Sequence, residues 1–100
     1  MSLQDHVKVV PGEDKGSVML YALSTCGWCR KTKALLDELG VEYRYIDVDL
    51  LDSDTKKQVM DEVARWNERR SFPTLVLGDS KCIVGYQEDK TREVLGSGSQ

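Results

Sequence analysis

Cys26 and Cys29, in the run STCGWCRK, are separated only by Gly27 and Trp28. Two thiols at this spacing can join to each other, attack a disulfide in turn, or share a metal ion, and all three chemistries run through the thiolate. The flanking sequence favours that ion at one of them. VMLYAL at 18–23 reads as a strand, and residues from about Gly27 to Leu39 read as an amphipathic helix closed by Gly40. A helix N-terminus presents unpaired N–H groups and a partial positive charge, which favour a thiolate over a thiol. Cys26 stands just ahead of the helix, where those donors converge, and is the expected nucleophile. Cys29, one turn in and among more apolar neighbours, is the expected resolving thiol. The gain is large: lowering a thiol pKa from about 8.5 to about 7 raises the ionised fraction from a few per cent to roughly half at neutral pH. Trp28 can lay an apolar plate beside the sulfur, whereas Lys31 and Lys33 read as a solvated face.

Zinc is the competing use of the pair. C-x-x-C is half of a zinc knuckle, and Cys82 with His6 would complete a Cys3His set. The redox reading rests on context, a strand running straight into the pair with a βαβ pattern around it. Cys82 otherwise reads as a small buried hydrophobe, with regulatory oxidation as its alternative, and His6 as a solvated residue of the lead-in.

The elements that must hold the pair follow in order. Residues 1–16 form a lead-in in which HVKVV can make an extra short strand before PGEDKG breaks it; 17–96 form one domain, and 97–100 a flexible tail. Ala34, Leu35, Leu36 and Leu39 give the first helix its buried face. VEYRYIDVDL is β-prone, with Val41, Tyr43 and Tyr45 on one side. A second helix follows, with Asp52, Ser53 and Asp54 as candidate N-caps and Val59, Met60, Val63 and Trp66 as its core stripe. TLVLGDSKCIVGY is a hairpin around Gly78-Asp79-Ser80, and 87–95 a last short helix. The order βαβαββα predicts an α/β fold: a four-stranded mixed sheet with helices on both faces.

At 100 residues, with 40% hydrophobic and 31% charged, the chain has the bulk of one globular domain. Its net charge of −3 argues against general nucleic-acid affinity. No apolar run is long enough to span a bilayer and no secretory leader is legible, so a cytoplasmic setting and no membrane partner are expected, with the chain as a monomer.

The chain resembles the glutaredoxin family of the thioredoxin fold over about residues 17–96, on four features: CGWC at a strand–helix junction, SFPT at 71–74, KCIVGY at 81–86, and the βαβαββα order. The resemblance implies a thiol–disulfide oxidoreductase that carries electrons through Cys26 and Cys29 to protein disulfides or glutathione mixed disulfides. It also implies a cis Phe72-Pro73 bond, which sequence alone leaves even with a proline that merely opens a strand. In the family the backbone at Phe72 pairs with substrate. Thr25, Trp28, Arg69, Arg70, Phe72, Pro73, Gly85, Tyr86 and Gln87 then line the substrate or glutathione groove.

Two departures bear on glutathione. Leu23 stands where glutathione-using members carry Lys, and Val84-Gly85 where they carry Gly-Gly, followed by Tyr86, Gln87 and Glu88. GYQEDK is similar to the segment of a subgroup that serves ribonucleotide reductase and draws electrons from thioredoxin reductase. CGWC is similar to the CGYC of members that hold a [2Fe-2S] cluster between two subunits with glutathione, in which case Cys26 is the ligand. No other tightly bound cofactor is expected.

Overall fold

β2 (Val18–Ala22) is the strand on which the fold is built. Four of its five residues are buried, because helices cover it on both faces. A computed structural model describes residues 6–78 and 81–96 of the chain. Along it run β1 (Lys8–Val10), β2, α1 (Gly27–Leu39), β3 (Tyr43–Asp47), a 3₁₀ turn at Val48–Leu50, α2 (Ser53–Trp66), β4 (Thr74–Leu77), β5 (Lys81–Val84) and α3 (Glu88–Thr91). The strand order is β1-β3-β2-β4-β5. β2 and β3 are parallel, with Ala22 opposite Asp47, and the other three pairings are antiparallel.

Alternation along β2 sorts the core into two layers. Val18, Leu20 and Ala22 meet Cys29 and Leu36 of α1, together with Leu75, Ile83 and Leu95. Tyr21 points the other way, to Val59 and Val63 of α2, with Ile46, Val48 and Val76. α1 is closed by Gly40 at φ 71°, whose N–H reaches the Asp37 carbonyl at 3.1 Å. Of the three candidate caps for α2, Asp52 is the one used, accepting the Thr55 N–H at 3.2 Å.

The sheet has five strands, not four. The lead-in strand closes the free edge of β3, Lys8 opposite Tyr45 and Val10 opposite Tyr43. PGEDKG does not release the lead-in: Glu13 N–H bonds the Gly40 carbonyl and Glu42 N–H bonds the Glu13 carbonyl, each at 2.8 Å. Gly12 approaches so closely that a Cβ there would lie 2.6 Å from the Val41 carbonyl carbon.

Other expectations shift in register. β3 ends at Asp47 rather than 50, because Val48–Leu50 curls into the 3₁₀ turn. The last helix is regular only over Glu88–Thr91 and continues as a π turn at Arg92–Gly96. Ala34 is exposed and Thr32 is buried in its stead, its hydroxyl satisfied by donating to the Trp28 carbonyl at 3.0 Å. Lys33 is not solvated: its ammonium lies 3.0 Å from Asp47 Oδ1 and 4.1 Å from the Tyr45 ring centroid. Trp66 is half-buried at the margin of the α2 layer. Residues 1–5, the hairpin tip at Asp79 and Ser80, and the tail at 97–100 lie outside the described residues.

Candidate active site

β2 and β3 run parallel, and their carboxyl ends open side by side at one edge of the sheet, the place where an α/β sheet leaves room for chemistry. Four residues, 23–26, carry the chain from β2 to α1. The turn is tight, with the Cys26 N–H donating to the Leu23 carbonyl at 3.2 Å. Cys26 is the N-cap of α1 in extended geometry (φ −88°, ψ 122°), and its Sγ accepts the Cys29 N–H at 3.2 Å. A sulfur thus occupies the place that Ser, Thr or Asp usually fills, receiving a donor that the helix leaves unpaired.

The two thiols differ sharply. Cys26 is half-exposed, whereas Cys29 is 0% exposed. Burial pushes the Cys29 thiol up to about 12, and the hydrogen bond to Cys26 adds to the rise. The Leu23 N–H, 3.5 Å from Cys29 Sγ, and the Lys33 ammonium pull the other way.

Around the pair, Trp28 is 58% exposed and stacks on Tyr86 with ring centroids 5.8 Å apart and planes 26° from parallel. Lys31 Nζ lies 4.9 Å from the Trp28 ring centroid. The stack ties the start of α1 to the β5–α3 turn, which Gly85 makes at φ 83°. Gly85 N–H reaches the Pro73 carbonyl at 2.8 Å, and the Phe72-Pro73 bond is cis. Phe72 and Cys26 both pack on the α1-side core. The structure therefore brings Cys26, Cys29, Trp28 and Tyr86 together and joins Pro73 to Gly85.

Other expected site residues are held differently. Arg69 and Arg70 are exposed in the α2–β4 loop, Arg70 at φ 54°, and neither forms an ion pair among the described residues. Thr25 is exposed, with its carbonyl 3.5 Å from an Arg30 guanidinium nitrogen. Gln87 is exposed, and its amide donates one N–H to the Val84 carbonyl at 2.7 Å. Among the described residues no three His, Cys, Asp or Glu side chains converge as a metal site, so the Cys3His set of Cys26, Cys29, Cys82 and His6 has no geometric counterpart. Cys82 is half-buried on β5 opposite Val76, and burial raises its thiol as well.

Two side chains near the pair escape a reading of the sequence. Asp49 holds Ser24 through both carboxylate oxygens, and Asp47 holds Lys33. The available signal was the parallel pairing of β2 and β3, which sets DVD at 47–49 beside the cysteine turn.

The family model of glutaredoxins matches residues 18–83, from the start of β2 to the last strand. The chain belongs to the glutaredoxin family. Glutaredoxins are thiol–disulfide oxidoreductases, and Cys26–Cys29 is the C-x-x-C pair of this one. Among solved structures it is similar to the methanoredoxin of Methanosarcina acetivorans (49% identity, 85% of this chain and 90% of that one, TM-score 0.82). The glutaredoxin of Methanosarcina mazei Go1 is similarly near, at 47% identity over 92% and 89% with a TM-score of 0.84. A buckwheat glutaredoxin, solved as its glutathione complex, is 25% identical over 81% and 73% with a TM-score of 0.64. The chain spans 59% of the length of the curated Ricinus communis glutaredoxin that it matches at 29% identity. No described helix is long and apolar enough to cross a membrane.

Proposed function

We propose that this chain reduces disulfides by a two-thiol cycle in which Cys26 attacks and Cys29 resolves. The observation that carries the reading is the contrast between a half-exposed Sγ on the helix N-terminus and a thiol beneath it that is wholly buried. The Cys26 thiolate attacks one sulfur of the substrate, forms a mixed disulfide and expels the other sulfur as a thiolate. Capping Cys26 removes its negative charge and its hydrogen bond, both of which raise Cys29. The buried thiol is thereby made more acidic at the step that needs it, loses its proton and attacks Cys26 Sγ. The second substrate thiolate leaves, and the intramolecular disulfide retains the two oxidising equivalents until a donor reduces it.

Protein disulfides are the favoured substrate class. The nucleophile is half-exposed next to an exposed indole, and the Phe72 backbone ahead of the cis proline is the segment on which an extended substrate strand would pair. Ribonucleotide reductase is one such substrate to assay. Glutathione would be held weakly. Arg69 and Arg70 can meet one of its carboxylates, but Leu23 is neutral, and where the other carboxylate would lie stands Glu88, already paired with Arg92 at 2.8 Å. A [2Fe-2S] cluster shared between two subunits with glutathione would draw on Cys26 alone, because Cys29 is wholly buried, so this chain's own donors would supply one ligand per subunit. A cytoplasmic setting belongs to the same reading.

The deciding assay follows NADPH consumption with a protein disulfide, comparing glutathione plus glutathione reductase against thioredoxin reductase. Faster turnover with thioredoxin reductase is expected; a strong preference for glutathione would reverse the assignment of reductant. A brown anaerobic preparation with visible absorbance would mark a cluster carrier instead.

A further inference from the structure

The turn that presents Cys26 depends on a residue far along the chain. With the Leu23 carbonyl bonded to the Cys26 N–H, the intervening Ser24 N–H finds no strand or helix partner. Asp49, 25 residues on, supplies one: its Oδ1 accepts the Ser24 N–H at 2.7 Å, and its Oδ2 accepts the Ser24 hydroxyl at 2.6 Å. Both carboxylate oxygens are spent on a single residue, a bidentate arrangement that fixes direction as well as distance. Asp49 is itself anchored, because it sits in the 3₁₀ turn Val48–Leu50 that continues β3, with Val48 buried in the α2 layer. β3 is the parallel neighbour of β2, so the clamp ties the ends of two adjacent strands across the base of the cysteine turn.

We propose that Asp49 is a positioning residue for the exchange reaction: its carboxylate fixes Ser24, and through Ser24 the turn that holds Cys26 Sγ over the N-terminus of α1. The inference rests on the reading of Cys26 as the nucleophile. Without the clamp, Sγ is no longer held steadily at 3.2 Å from the Cys29 N–H, and its approach to a substrate sulfur is less well directed.

The charge of Asp49 opposes this effect, which makes the two roles separable. If Asp49 mattered only as a negative charge near a thiol, removing the charge would favour the thiolate and speed its reactions. If it acts as a clamp, what matters is its pair of hydrogen-bonding atoms.

The test uses the full chain in three variants, D49N, D49A and S24A, each reduced and held well below its unfolding midpoint. Cys26 alkylation by iodoacetamide at neutral pH and the reduction potential of the Cys26–Cys29 pair are measured beside turnover. D49A, with neither bond, should slow Cys26 alkylation roughly five- to tenfold, the order of one ordinary hydrogen bond passed on to the turn. D49N keeps an acceptor for the Ser24 N–H and an amide for its Oγ, and should stay within about twofold of the parent. S24A loses the hydroxyl bond alone and should fall between them. Faster alkylation in both Asp49 variants would overturn the proposal in favour of a bare charge effect. Unchanged rates and potentials in all three would overturn it outright. Should D49A fail to fold, S24A decides, since a parental rate there contradicts the clamp. Retained turnover in Cys26→Ser would instead refute the underlying assignment of nucleophile.

Discussion

The two ends of the sheet make opposite surfaces. At the end where β2 and β3 finish, the half-exposed Cys26 and the 58%-exposed Trp28 reach the surface. At the other end lies a depression of about 820 Å³, lined by Val7, Val9, Met19, Tyr21 and Trp66 and holding no cysteine or histidine. This larger volume lies away from the thiols, and beside Tyr86 and Lys31 at the reactive end there is a depression of about 290 Å³. The difference teaches what this reaction needs. On the proposed reading, exchange with a disulfide on another protein requires a sulfur that can be reached in line, and an enclosing pocket would shut that partner out. Reactivity is supplied by the helix terminus and by contrast in burial between two thiols, neither of which needs a cavity.

Breaking the reactive end should have the largest effect. Cys26→Ser should cut disulfide reduction by at least about 10³-fold, as the loss of a nucleophile does, measured as turnover with a protein disulfide. Cys29→Ser should leave the first attack intact and abolish release, so mixed disulfides with protein targets accumulate and are seen as adducts by mass spectrometry, while deglutathionylation is spared. Equal loss of both activities would count against the assigned roles. The coupling between the thiols gives a pH prediction. Cys29 is an acid raised by burial and by Cys26, so Cys26→Ala should lower its midpoint below about 12, and Lys33→Met should move it upward, both read from thiolate absorbance.

Smaller effects sharpen the contrast. Trp28→Ala removes the stack on Tyr86, worth about 0.5–1.5 kcal/mol for such a pair, and should raise the KM for protein disulfides a few-fold with little change in kcat. At the far end, Val9→Lys on the exposed edge should leave turnover unchanged and stability within about 0.5 kcal/mol. A loss of turnover there would mean that the depression takes part after all.

What the sequence made legible was local. The apolar run into β2, the helix from Gly27 and its Gly40 cap are each set by neighbours a few residues away, and the thiol pair inherits its place from them. What it hid was set by pairing between distant segments. HVKVV was legible as a short strand, but its place on the free side of β3, with PGEDKG between them, was not. Lys33 left the solvated face because the end of β3 places Asp47 beside it, and Asp49 reaches Ser24 for the same topological reason. The bond from the Gln87 amide to the Val84 carbonyl was hidden as well, because it depends on the turn that Gly85 makes at positive φ.

The asymmetry of the two thiols is tested most directly by competitive alkylation of the reduced protein at pH 7, followed residue by residue. With Cys29 at about 12, its thiolate fraction is about 10⁻⁵, roughly three orders of magnitude below that of a free thiol, and burial shields what remains. Cys26 should therefore be labelled to completion while Cys29 stays unmodified. Labelling of Cys29 at a rate comparable to that of Cys26 would contradict the account.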